Sequence, residues 1–119
     1  MSRRVLVVED EPLIAMLIED LVADLGFQVQ HMASTVDAAL AAVAQDNIDL
    51  ALLDVNLGGT PSFPVAEKLI ERRIPFVFTT GYGQLGIPQQ FNGHAVLQKP
   101  FRRADLEAAL QSCMPATGT

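Results

Sequence analysis

The chain has 119 residues, half of them hydrophobic, a composition that suits one folded unit with one core and excludes a disordered chain. The formal net charge of −6 is uneven: residues 1–54 carry −8 and residues 55–119 carry +2. An acidic chain without a basic stripe is a poor direct binder of nucleic acid. No apolar run approaches a membrane span, "MSRRVLVVEDE" turns acidic too soon for a signal peptide, and Cys113 is the single cysteine; all of this fits a cytoplasmic protein.

Strand and helix patterns alternate along the chain. Residues 4–8 read as a buried strand. Pro12 suits a first helical position, Leu13, Leu17, Leu21 and Leu25 recur every four residues, and Gly26 suits a left-handed stop. Residues 27–32 alternate like a half-buried strand. Ser34 or Thr35 can cap an Ala-rich helix reaching about Gln45. Residues 49–53 form a third strand that ends at Asp54. "NLGGTPSFP" reads as a loop by composition, and a helix follows from Pro64 to about Arg73. Residues 75–79 and 95–98 are the fourth and fifth strands. Residues 102–113 are the last helix, with Leu106, Ala109, Leu110 and Cys113 on one face, and "MPATGT" is a tail. The segment 83–94 has three glycines and Pro88, which leave little room for the helix that the alternation calls for.

Alternation with nearly continuous apolar strands predicts an α/β, doubly wound parallel sheet of five strands with helices on both faces. Loops at the carboxyl ends of such strands form the binding crevice. Glu9 and Asp10 follow the first strand, Asp54 the third, Thr80 the fourth and Lys99 the fifth. Three carboxylates at one edge call for a cation, and oxygen donors of this kind suit Mg²⁺. A Lys and a Thr beside them can hold phosphate oxygens, so the set reads as a phosphoryl-transfer site with an aspartate as possible nucleophile. Each residue also has a plainer role open to it. Asp10 or Glu11 suits a helix cap, Asp54 a turn, Thr80 a strand-end hydroxyl, and Lys99 a solvated position.

The motifs "VLVVEDE", "LALLDVNLGG", "PFVFTTGYG" and "VLQKPF", in this order and spacing, resemble the receiver domain of bacterial two-component response regulators over residues 4–113. "FTTGYG" is also similar to the FATGUY group of single-domain regulators. The resemblance implies a flavodoxin-like fold with strand order 2-1-3-4-5. It implies that Asp54 accepts a phosphoryl group and that Glu9 and Asp10 hold Mg²⁺ together with Asp54 and the backbone carbonyl of Asn56. It implies that Thr80 is a switch hydroxyl and that Lys99 pairs with the phosphoryl group, ahead of a candidate cis bond to Pro100. The family's switch aromatic falls at Val96, which has no ring to swing, so Tyr82 and the segment after Thr80 become the candidate reporters, while Asn56 and Tyr82 flank the path of an attacking water. Glu11 is expected in the first turn of the first helix, where a negative charge is favourable.

The implied role is a single receiver domain over residues 1–119 with no effector domain. It would take its phosphoryl group from a sensor histidine kinase or a histidine phosphotransfer protein. It would pass the signal to a downstream protein partner by contact or phosphorelay, with no nucleic acid or membrane involved, and would not be a turnover enzyme. Two other classes share parts of the pattern. A small phosphatase of haloacid dehalogenase type also uses an aspartate, Mg²⁺, Thr and Lys, but wants a second aspartate where Asn56 stands. A flavodoxin-like cofactor binder shares the fold but wants a Ser/Thr/Gly phosphate loop after the first strand.

Overall fold

The computed structural model describes residues 3–81, 87–91 and 93–113. Its strands are β1 (Arg4–Val8), β2 (Gln28–Ala33), β3 (Leu50–Asp54), the short β4 (Asn56–Leu57) and β5 (Thr60–Pro61), β6 (Phe76–Thr80) and β7 (Val96–Gln98). Its helices are α1 (Pro12–Asp24), α2 (Val36–Ala44), α3 (Phe63–Glu71) and α4 (Arg103–Cys113). Five strands form one sheet in the order β2-β1-β3-β6-β7, every neighbouring pair parallel. Counting the long strands alone, this is the expected 2-1-3-4-5 order.

Successive residues of a strand point to opposite faces, and both faces of this sheet are covered. Leu6 and Val8 of β1, Ala51 and Leu53 of β3 and Phe76 and Phe78 of β6 join Ala39 and Val43 of α2 and Val65 and Leu69 of α3 in one core layer. Val5, Val7, Leu50, Leu52 and Val77 face the other way and pack with Ile18 and Val22 of α1 and Leu106 and Leu110 of α4. Burial on both sides is why these strands are apolar without a break.

Local chemistry accounts for most boundaries. Pro12 opens α1, and Gly26, with φ +94°, follows its end. Thr35 caps α2, its hydroxyl accepting the Ala38 N–H at 3.1 Å. Three readings need correction. The every-fourth-residue leucine stripe is not the buried face of α1: Leu13 is 82% and Leu17 55% exposed, whereas Ala15, Ile18 and Val22 are buried. A spacing of four drifts around a helix of 3.6 residues per turn, so only Leu21 and Leu25 of that series reach the core. Glu11 is the residue before the helix, not part of its first turn. "NLGGTP" is not open loop but the antiparallel hairpin β4–β5. Gly58 and Gly59 both hold positive φ (62° and 92°), as a tight two-residue hairpin turn requires.

Between β6 and β7 the described residues contain a single 3₁₀ turn, Gln89–Phe91. Phe91 is buried there, stacked on Phe63 at 5.4 Å between ring centroids and edge-on to Phe78. Tyr82, Gly83 and Gly86, the tail after Cys113 and the Cys113 side chain lie outside the described residues. The Lys99–Pro100 peptide is cis. Among the described residues no helix is long and apolar enough to cross a membrane.

Candidate functional site

Parallel strands carry their carboxyl ends to one edge, and the chemistry-bearing residues collect there. Asp54 is the last residue of β3 and Thr80 the last of β6, while Glu9 and Lys99 each follow directly on a strand. Oxygen atoms of Glu9, Asp10 and Asp54 lie within 4.8 Å of one another. Glu9 and Asp54 are buried, and Asp10 is half-buried. These three residues and Lys99 are therefore brought together as expected.

Like charges so close need compensation, and the protein itself supplies part of it. Lys99 Nζ donates to Glu9 Oε1 at 2.5 Å and to Asp54 Oδ2 at 2.8 Å. A divalent cation alone is thus not what makes the cluster tolerable; an ammonium already bridges two of its members. The other Glu9 oxygen accepts the Glu11 N–H at 3.1 Å. Burial pushes the Glu9 carboxyl up to about 7, against the lowering effect of the Lys99 and Glu11 hydrogen bonds. Burial works against the charged form of Lys99, but its bonds to Asp54 and Glu9 outweigh it and hold the ammonium above its ordinary range.

The hairpin builds the other wall. Asn56 N–H donates to Asp54 Oδ1 at 3.2 Å, and Asn56 Oδ1 accepts the Gly59 N–H at 2.6 Å. A β-carbon at Gly58 would come 3.7 Å from Asp10 Oδ2, so this glycine brings backbone close to the acids. Asp10, Asp54, Asn56, Gly58 and Lys99 line one open crevice of about 490 Å³.

Thr80 is buried, and its carbonyl accepts the Lys99 N–H at 2.8 Å. Val96 stands opposite Phe78 in the β6–β7 register and packs partly buried on the first core layer. Pro100 is exposed, and Tyr82 lies outside the described residues. Sequence reasoning missed two contributors. Gly58 was visible only as loop composition. Ser62, fully buried, donates to the Asp54 carbonyl; its sequence signal, a serine ahead of a helix, points to a different job.

A doubly wound sheet with an aspartate, two further acids and a lysine at its carboxyl edge defines a phospho-accepting module. The model of the response regulator receiver domain matches residues 5–111, and the chain belongs to that family. The solution structure of SdrG from Sphingomonas melonis Fr1 is 46% identical, with a TM-score of 0.85 over 94% of this chain and 96% of that one. Phyllosphere-induced regulator PhyR of Methylorubrum extorquens is 31% identical over 96% of this chain but only 44% of its own length. Sporulation initiation phosphotransferase F of Bacillus subtilis is 27% identical over 97% of this chain and 96% of its own. The chain spans less than half of PhyR and nearly all of the other two. It is a phospho-accepting response regulator module of two-component signalling, and neither the phosphatase nor the cofactor-binding reading is favoured. The three carboxylates are a donor set that fits Mg²⁺.

Proposed function

We propose that Asp54 is the residue that takes the phosphoryl group, in a Mg²⁺-dependent transfer from a histidine kinase or a histidine phosphotransfer protein. The observation that carries this is the setting of the Asp54 carboxylate. It is buried, faces the crevice, and is oriented by Lys99 on one oxygen and the Asn56 N–H on the other. In the transfer, an Asp54 oxygen forms a bond to phosphorus as the donor's phosphorus–nitrogen bond breaks, and the imidazole leaves with that electron pair. Glu9, Asp10, Asp54 and the Asn56 carbonyl would hold the metal, which when bound would supply positive charge against the phosphoryl oxygens.

Lys99 then exchanges a carboxylate partner for a phosphoryl oxygen, and Thr80, whose carbonyl holds the Lys99 N–H, is the hydroxyl that answers the phosphorylated state. Tyr82 and Asn56 govern access of the hydrolysing water. The module acts as a cytoplasmic phosphoacceptor whose own residues assist gain and loss of phosphate, not as an enzyme that turns over small esters. Its output passes through protein contacts or onward phosphotransfer.

The test is intact-mass analysis after incubation with acetyl phosphate and Mg²⁺. Wild type should gain one phosphoryl group, and Asp54→Asn none. Equal labelling of both proteins removes Asp54 as the acceptor.

A further inference from the structure

Ser62 immediately precedes α3, the place where a serine ordinarily caps a helix by accepting one of its free N–H groups. It makes no such bond. Its hydroxyl turns back toward the sheet, 2.5 Å from the Asp54 carbonyl oxygen and 3.2 Å from that of Val55. A hydroxyl has one hydrogen to give, and the shorter contact takes it. The Ser62 N–H goes to the same Val55 carbonyl at 2.9 Å. The residue is completely buried, so water does not share the work.

These bonds fasten the start of α3 to the two peptide units that follow the last strand position of β3. Val55 N–H is held in turn by the Thr79 carbonyl at 2.9 Å. The Asn56 N–H, which donates to Asp54 Oδ1, shares its peptide plane with the Val55 carbonyl that the Ser62 N–H holds. The Ser62 hydroxyl holds the Asp54 carbonyl of the preceding plane, so Ser62 restrains both units beside the carboxylate. The carboxylate is thus oriented from behind through its own backbone as well as from in front by Lys99. A local preference given up in favour of a bond at a reacting residue marks a functional constraint. We infer that Ser62 is a positioning residue for phosphoryl transfer. Its hydroxyl holds the Asp54 peptide so that the carboxylate meets the incoming phosphorus in a preset direction. The inference rests on Asp54 being the acceptor.

The experiment uses the full chain with acetyl phosphate and Mg²⁺, well below each variant's melting temperature, and follows phosphorylation by intact mass. The proteins are wild type, Ser62→Ala, Ser62→Cys, Ser62→Thr and Asp54→Asn. A small misplacement of reacting groups costs one to two orders of magnitude in rate, so Ser62→Ala should be phosphorylated roughly tenfold more slowly. Ser62→Cys, similar in size but a weak donor, should resemble it, and Ser62→Thr, which keeps the hydroxyl, should recover most of the rate. The Asn56 amide resonance should move in Ser62→Ala and Ser62→Cys. Wild-type rates in a folded Ser62→Ala or Ser62→Cys overturn the inference, because space filling would then be the whole role. Labelling of Asp54→Asn is the separate result that defeats the acceptor assignment itself.

Discussion

Lys99 Nζ lies 2.8 Å from Asp54 Oδ2 and also holds Glu9, so one ammonium joins the ends of β7, β3 and β1. The contact makes the site partly self-compensated. The lysine that would meet an incoming phosphoryl group is also what lets two buried carboxylates coexist without it.

Removing that ammonium should therefore be costly. Lys99→Ala leaves Glu9 and Asp54 unpaired, and breaking a buried pair typically costs about 3–5 kcal/mol. Because Glu9 titrates near 7, it can take up a proton and soften the loss, so we expect about 2 kcal/mol at neutral pH. Urea unfolding in metal-free buffer measures this. Mg²⁺ should restore more stability to the variant than it adds to wild type; equal gains would show that lysine and metal do not share the same carboxylates.

Glu9 should also set a pH dependence. Its folded pKa, about 7, lies above its ordinary value of 4.5, so the folded state binds more protons between those limits. Stability contributed by protonated Glu9 is fully present below about 4.5 and is lost as pH rises through 7, with a slope of at most ~1.4 kcal/mol per pH unit. Glu9→Gln should flatten this part of the metal-free stability profile. An unchanged profile in the variant would mean that Glu9 is ionised throughout.

Much of this was legible in the sequence, for identifiable reasons. Strands buried on both faces leave unbroken apolar runs, and Pro12, Gly26 and Thr35 mark helix ends by chemistry that needs no tertiary partner. Motif spacing placed Glu9, Asp10, Asp54 and Lys99 at one edge. What escaped depends on contacts distant in sequence. Only the folded chain shows that Lys99 bridges Glu9 across 90 positions. The leucine stripe of α1 misled because a period of four is not the helix period. Ser62 was hidden because its sequence signature is that of a cap, while its actual partner is the carbonyl of Asp54, eight residues earlier.

Asp10 should be worth more to the metal than to the fold. It stands with two other carboxylates inside 4.8 Å, where like charges oppose one another. Asp10→Asn should melt at a higher temperature than wild type in metal-free buffer and bind Mg²⁺ at least about tenfold more weakly, since loss of one hard ligand removes a large part of the site's affinity. Titration calorimetry that returns wild-type affinity would exclude Asp10 from the ligand set.

The central claim is that one particular carboxylate carries the phosphoryl group. An acyl phosphate can be trapped chemically: borohydride reduces it to an alcohol and leaves homoserine in place of the aspartate. The protein, phosphorylated with acetyl phosphate in the presence of Mg²⁺, is reduced, digested and mapped by peptide mass spectrometry. Homoserine should appear at position 54, within "LALLDVNLGG", and nowhere else. Homoserine at another position, with Asp54 intact in a phosphorylated sample, would contradict the account.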